Sequence, residues 1–244
     1  MCTLILLRRA GHAWPLILAA NRDEMTARQW LPPARHWPER ADVVAGLDQE
    51  AGGTWLGVND AGVVAGVLNR PGPLGPDPAK RSRGELVLEA LDHGDADRAA
   101  AALDALDPAS YRPFNLVIAD NRDAFWLKNT GTEPIAVAPV PEGLSMITAF
   151  DLNDAASPRI ARFRARFDAA PAPDPASGEC SAWQALLGAR DAGSGEGEEG
   201  AMRIEAQNGF GTLSSSLVGL DDAGGRVYLF SESAPGDGPW RPVD

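Results

Sequence analysis

Little in this chain could staple it or load it with metal. Two cysteines, Cys2 and Cys180, and three histidines stand among 244 residues. Two thiols cannot make a disulfide framework, and their spacing matches no metal knuckle. His12, His36 and His93 are scattered, with no pair at ligand spacing, so neither a metal nor a resident cofactor is expected. Basic charge is also scarce: 22 Lys and Arg face 34 Asp and Glu, a net charge of −12. That balance argues against a nucleic acid or an anionic membrane surface as the main partner. No apolar run approaches the length of a membrane span, so no membrane insertion is expected. The N-terminal apolar run has no basic residue before it and closes on Arg8 and Arg9, unlike a secretion signal. The low cysteine count suits a reducing compartment better than a single long-range bridge between the two. The expectation is a cytoplasmic protein, and its oligomeric state is not legible.

What is present is ordinary globular material, 44% hydrophobic and 23% charged, enough for a sizeable core without staples. A single domain over residues 1–244 is expected. It should carry a mobile loop at 191–200, where "DAGSGEGEEG" offers no apolar anchor. "TLILLRR" and "PLILAAN" read as a hairpin around Gly11. "VVAGLD", "TWLGVN" and "GVVAGVLN" are three further strands, the last two split by the turn signal "DAG". Ser82 and Glu85 form a capping box ahead of Leu86, Val87, Ala90 and Leu91. A second helix through "ADRAAAALDAL" stops at Asp107-Pro108. "FNLVIAD", "AFWLKN" and "LSMITAF" are strands. Ser157-Pro158 caps a third helix with Ile160, Phe163 and Phe167 on one face, and Ser181 caps a fourth. "TLSSSLVGL" and "GRVYLFSE" make a last hairpin. Hairpins rather than βαβ units imply the α+β class, two mostly antiparallel sheets covered by helix pairs.

The polar cluster Asn21, Arg22, Asp23, Glu24 ends the second strand. If extension persists, Asn21 and Asp23 face one way and Arg22 and Glu24 the other. The triplet Asn121, Arg122, Asp123 recurs in a plain hairpin turn, so three letters alone carry little. Four stretches in one order carry more: "MC" at the start, "LAANRDE", "GGTWLGV" at 52–58 and "RSRGEL" at 81–86. Together they resemble the NRDE family, which includes the transport-and-Golgi-organisation protein 2 proteins, from Met1 to about Glu232. The resemblance implies a branch of the N-terminal-nucleophile (Ntn) hydrolases, whose fold is a four-layer α/β/β/α sandwich. More weakly, the chain is similar to bile-salt hydrolases and penicillin V acylases. There an initiator Met precedes a nucleophilic Cys, an Asp closes the next strand, and an Asn begins an Asn-x-Pro-Gly turn. The matching positions are Cys2, Asp23, and Asn69 in "LNRPG". Three positions depart from that pattern. A second Asn is replaced by Ala149, with Thr148 before it. An Arg of the last hairpin falls near Phe230. Arg22 adjoins Asp23 instead of preceding it by three residues.

The resemblance implies hydrolysis of the amide bond of a small acyl substrate. Removal of Met1 would leave an α-amine of pKa about 7.7–8.0 beside a thiol near 8.5, and that amine can serve as the thiol's own base. In this reading Asn69 stabilises the oxyanion, Asp23 orients the amine, and Arg22 offsets the charge of Asp23 at the thiol. Asn21, Glu24 and Thr148 are the expected substrate contacts. The alternative is a non-catalytic protein of the same fold that binds or carries haem or an acyl lipid, since the family is associated with haem trafficking and lipid homeostasis. The missing Asn and Arg favour that alternative. Structural roles are expected elsewhere: Gly52 and Gly53 as a bulge letting another backbone approach, Arg159, Arg162, Arg164 and Arg166 as a solvated helix face, and Cys180 as an inert thiol.

Overall fold

Elements follow the apolar runs and caps closely. The computed structural model describes residues 2–244 except 73–76, 194–199, 207 and 235. In chain order the strands begin with β1 (Thr3–Arg8), β2 (Leu16–Met25), β3 (Trp30–Ala34), β4 (Val43–Asp48), β5 (Leu56–Asn59) and β6 (Val64–Asn69). Helices α1 (Arg83–Leu91) and α2 (Ala96–Asp104) come next, then β7 (Phe114–Ala119), β8 (Ala124–Asn129), β9 (Ala136–Pro139) and β10 (Gly143–Ile147). Helices α3 (Pro158–Ala169) and α4 (Ser181–Leu187) precede β11 (Phe210–Leu220), β12 (Arg226–Ser231) and β13 (Arg241–Pro242). The strands make two antiparallel sheets, as the α+β class requires. One has the order β10-β1-β2-β11-β12-β13 and the other runs from β3 to β9 in sequence order. The chain divides into two compact units, Met1–Arg28 with Pro141–Val243, and Gln29–Val140 with Asp244.

In the first unit, α3 and α4 lie on one face of the six-stranded sheet. Ile160, Phe163, Phe167, Trp183 and Leu187 pack with Ile5, Ile17, Ala19 and Met146. Each such side chain contributes about 1.5–3 kcal/mol by leaving water. Odd-numbered residues of β1 and β2 point to the helices, while Leu4, Leu6, Leu16 and Leu18 are equally buried on the other face. Burial on both faces explains why these strands read as continuous apolar runs rather than alternating ones. Ser157 caps α3 as expected, accepting from the Ile160 N–H at 3.4 Å. Ser181 does not cap α4: it is the first helical residue, and Cys180 holds the cap position without a side-chain bond. Glu179 instead accepts from the Ser181 N–H at 3.1 Å.

In the second unit, α1 and α2 cover Val43, Ala45, Val63, Ala65, Leu116, Ile118 and Leu127. Ser82 accepts from the Gly84 N–H at 3.2 Å. Glu85 pairs with Arg81 at 2.9 Å instead of reaching back to Ser82, so half of the capping box forms. The close backbone approach expected at Gly52-Gly53 is present. A Cβ on Gly53 would sit 2.6 Å from the carbonyl carbon of Gly84, and the Thr54 N–H donates to the Gly84 carbonyl at 3.2 Å. The stretches "GGTWLGV" and "RSRGEL" therefore meet backbone to backbone. Three strands escape the sequence pattern, β3, β9 and β13, and all are sheet edges. The register of β3 shifts between Leu31 and Ala34, around Pro32 and Pro33, which an edge strand tolerates. Most of the loop expected at 191–200 lies outside the described residues. Among the described residues, no helix is long and apolar enough to cross a membrane.

Candidate functional site

Pairing of β1 with β2 sets Thr3 opposite Asn21, which brings the start of the chain to the "NRDE" cluster. β2 continues extended through that cluster to Met25. The Cys2 thiol donates to the backbone carbonyl of Asp23 at 3.4 Å. Cys2 is half-buried. Burial first, then the negative charge of Asp23, push its thiol above the ordinary 9.0; Arg22 pulls it down, but more weakly than either.

The Asp23 carboxylate is anchored by residues from two distant elements. Arg159 Nη1 donates to Oδ2 at 3.0 Å and to the Thr3 hydroxyl at 2.6 Å. The Thr212 hydroxyl donates to Oδ1 at 2.6 Å and accepts from the Ile204 N–H at 2.9 Å. Arg159 was expected on a solvated face. It is instead buried, at 1% exposure, because it lies four and eight residues before Phe163 and Phe167 and so falls in the apolar stripe of α3. That spacing was the available signal. Arg162 and Arg166, by contrast, pair with Asp191 at the surface.

Strand alternation sorts the cluster into two faces. Thr3, Asn21, Asp23, Thr212 and Ser215 point toward α3 and α4, as their mutual hydrogen bonds and register require. Cys2, Arg22 and Ser214 fall on the opposite face. The group of Asp23 that meets the thiol is therefore its backbone carbonyl, while its carboxylate is held on the other side of the sheet.

The remaining candidates are placed as follows. Asn21 donates to the carbonyls of Leu187 and Met202 at 2.9 and 2.8 Å and accepts from Ser215 at 2.6 Å. Its amide thus ties β2 to the end of α4. Thr148 is fully buried and donates to Ser157 at 3.0 Å. Glu24 lies at the rim, accepting from the Met25 N–H at 2.8 Å and pairing with Arg28 at 3.9 Å. Asn69 closes β6 in the second unit, with its side chain exposed. Ala149 and Phe230 are both buried. Among the described residues, no three His, Cys, Asp or Glu side chains cluster as a metal donor set. His12 Nδ1 accepts from the Trp14 N–H at 2.9 Å, and His36 Nε2 bonds the Pro32 carbonyl at 2.8 Å. Thr212 and Ser214 were missed by the sequence reading, which took "TLSSSLVGL" as plain strand.

A family model described as "Transport and Golgi organisation 2" matches residues 1–190. The chain belongs to the transport and Golgi organisation 2 family. Its relatives include the "Transport and Golgi organization 2 homolog" of Mus musculus, 34% identical over 143 residues. The "Transport and Golgi organization protein 2 homolog" of Homo sapiens is 35% identical over 143 residues. Each match takes in 55% of this chain and 51% of the relative, so the chain spans about half the length of the curated relatives it matches. Among solved structures, penicillin V acylase from Agrobacterium tumefaciens is similar at a TM-score of 0.60 and 14% identity, over 100% of this chain and 86% of that one. A conjugated bile acid hydrolase from Clostridium perfringens reaches 0.57 at 10% identity, over 100% and 92%, and was solved as a mutant with its second residue changed from cysteine to alanine. A Caenorhabditis elegans ortholog of N-acylethanolamine-hydrolyzing acid amidase reaches 0.51 at 13% identity, over 88% and 92%. At such identities the likeness establishes a shared fold, that of the Ntn-hydrolase-type acylases.

Proposed function

We propose that this family member is an Ntn-type amidohydrolase acting on small acyl amides, with Cys2 as nucleophile once Met1 is removed. The observation that carries the reading is the placement of Cys2: its thiol is tethered to the Asp23 backbone at 3.4 Å, on a fold shared with three amide-hydrolysing enzymes. In this scheme the freed α-amine takes the thiol proton, which burial and Asp23 otherwise hold in place. The thiolate attacks the amide carbonyl, a C–S bond forms, and the C–N bond breaks as the amine leaves with a proton. Water then attacks the thioester, releasing the acid and regenerating the thiol. The buried pair of Asp23 and Arg159 serves as the rigid footing of the strand that presents the thiol.

The test is intact mass together with turnover of N-decanoyl-7-amino-4-methylcoumarin. The mature chain should lack Met1 and release coumarin. Cys2→Ala should release none, and an inserted bulky residue that blocks Met1 removal should also abolish release. Equal release by wild type and Cys2→Ala would end the nucleophile reading. One observation favours the second reading, a haem or acyl-lipid carrier: with its thiol pushed up, Cys2 is predominantly protonated at neutral pH in the unprocessed chain. On that reading the same face binds ligand without turnover.

A further inference from the structure

Ser214 is buried to 1% exposure, and among the described residues its hydroxyl has no hydrogen-bond partner. Buried hydroxyls are normally satisfied, so an orphan points to a bound group as its partner. Its neighbours show the contrast. Thr212 and Ser215 hold Asp23 and Asn21 on the side of α3 and α4, and Ser216 bonds the Tyr228 hydroxyl at 3.2 Å. The register shifts between Thr212 and Ser214, setting Ser214 opposite Arg22 with both turned away from the helices. Cys2 precedes β1, the strand on the other side of β2, and shares that face. Adjacent strands lie about 5 Å apart, so thiol, guanidinium and hydroxyl form a row about 10 Å long. A ligand oxygen that accepts from Ser214 beside the Arg22 cation is best anionic, and a carboxylate fits both donors.

We propose that Arg22 and Ser214 form a carboxylate subsite next to Cys2, so that the amide substrate is an N-acyl amino acid with its acyl carbonyl at the thiol. The substrate class rests on the amidohydrolase reading; the subsite does not.

The experiment titrates the full-length Cys2→Ala chain, which cannot turn over, with N-decanoylglycine and its neutral counterpart N-decanoylglycinamide. The acid should bind at least tenfold more tightly. Adding Ser214→Ala, which breaks no side-chain hydrogen bond among the described residues, should weaken the acid about tenfold and the amide hardly at all. Ser216→Ala should leave the preference intact. Equal binding of acid and amide, no binding of either, or indifference to Ser214→Ala overturns the subsite. Turnover of N-decanoylglycine by the Cys2-bearing chain separates the two claims. Hydrolysis by wild type and by Ser214→Ala at equal kcat/KM sinks the subsite and keeps the hydrolase. Selective binding without turnover keeps the subsite and sinks the hydrolase.

Discussion

Arg159 and Asp23 expose 1% and 0% of their side chains, so neither has water to replace the other. Removing one charge leaves its partner buried and uncompensated, which costs about 3–5 kcal/mol. Asp23→Asn and Arg159→Met should each lower the urea midpoint by that measure at pH 7. The double variant should recover most of the loss, because no buried charge is left behind. Single-variant losses below about 1 kcal/mol would show that water screens the pair. The same residue carries a sign prediction at the thiol. Asp23 raises the Cys2 pKa, so Asp23→Asn should lower it and speed iodoacetamide labelling of Cys2 severalfold at pH 7.5. Asp123→Asn, in the turn that repeats the triplet, should change nothing. Slower labelling in Asp23→Asn, with the fold intact, would mean that the carboxylate assists the thiol.

At the scale of elements, the meeting of Gly53 with α1 is the least forgiving contact. A Cβ on Gly53 would lie 2.6 Å from the Gly84 backbone, and one on Gly84 would lie 2.9 Å from the Thr54 nitrogen. Backbone cannot rotate away as a side chain can. Gly53→Ala and Gly84→Ala should therefore each cost about 1–3 kcal/mol in thermal or urea unfolding, as overpacking does. Gly94→Ala, with nothing within 4 Å, should be neutral; a similar loss there would refute the packing explanation. This contact also shows what a sequence exposes and what it hides. The need for a glycine at 53 was legible, because two adjacent glycines ahead of Thr54-Trp55 mark a close approach. The identity of the approaching residue was not, since Gly84 lies on another element. The hairpin of β1 and β2, the Ser157 cap and the apolar stripe of α3 were readable because their signals are local. The partner of Asp23 lies 136 residues away, so it depends on how α3 is docked, and Arg22, its sequence neighbour, was the natural but different choice. β3 hid behind two prolines, which only its edge position permits.

For the molecule as a whole, acidic composition would suggest that stability is governed by carboxylates, yet the clearest buried shifts belong to groups that titrate in alkali. Burial pushes the thiols of Cys2 and Cys180 above 9.0 and Tyr111 from 10.0 to about 12, and it pushes Tyr228 up as well. Each group holds its proton more tightly folded than unfolded. The native state therefore binds more protons, and stability falls as pH rises. These contributions are fully present below the unfolded pKa values, near 9 for the thiols and 10 for the tyrosines. They are lost as pH climbs from there through the raised folded values. Each group contributes at most about 1.4 kcal/mol per pH unit over its own window. Urea unfolding should thus be insensitive to these groups between pH 7 and 8.5 and weaken steadily from pH 9 to 11. A Cys2→Ala/Cys180→Ala chain should lose the part of the slope that begins near pH 9 and keep the tyrosine part that begins near 10. If the double variant shows the same decline from pH 9 as wild type, the thiols are not shielded as the fold places them, and the case for a protonated, poised Cys2 falls with them.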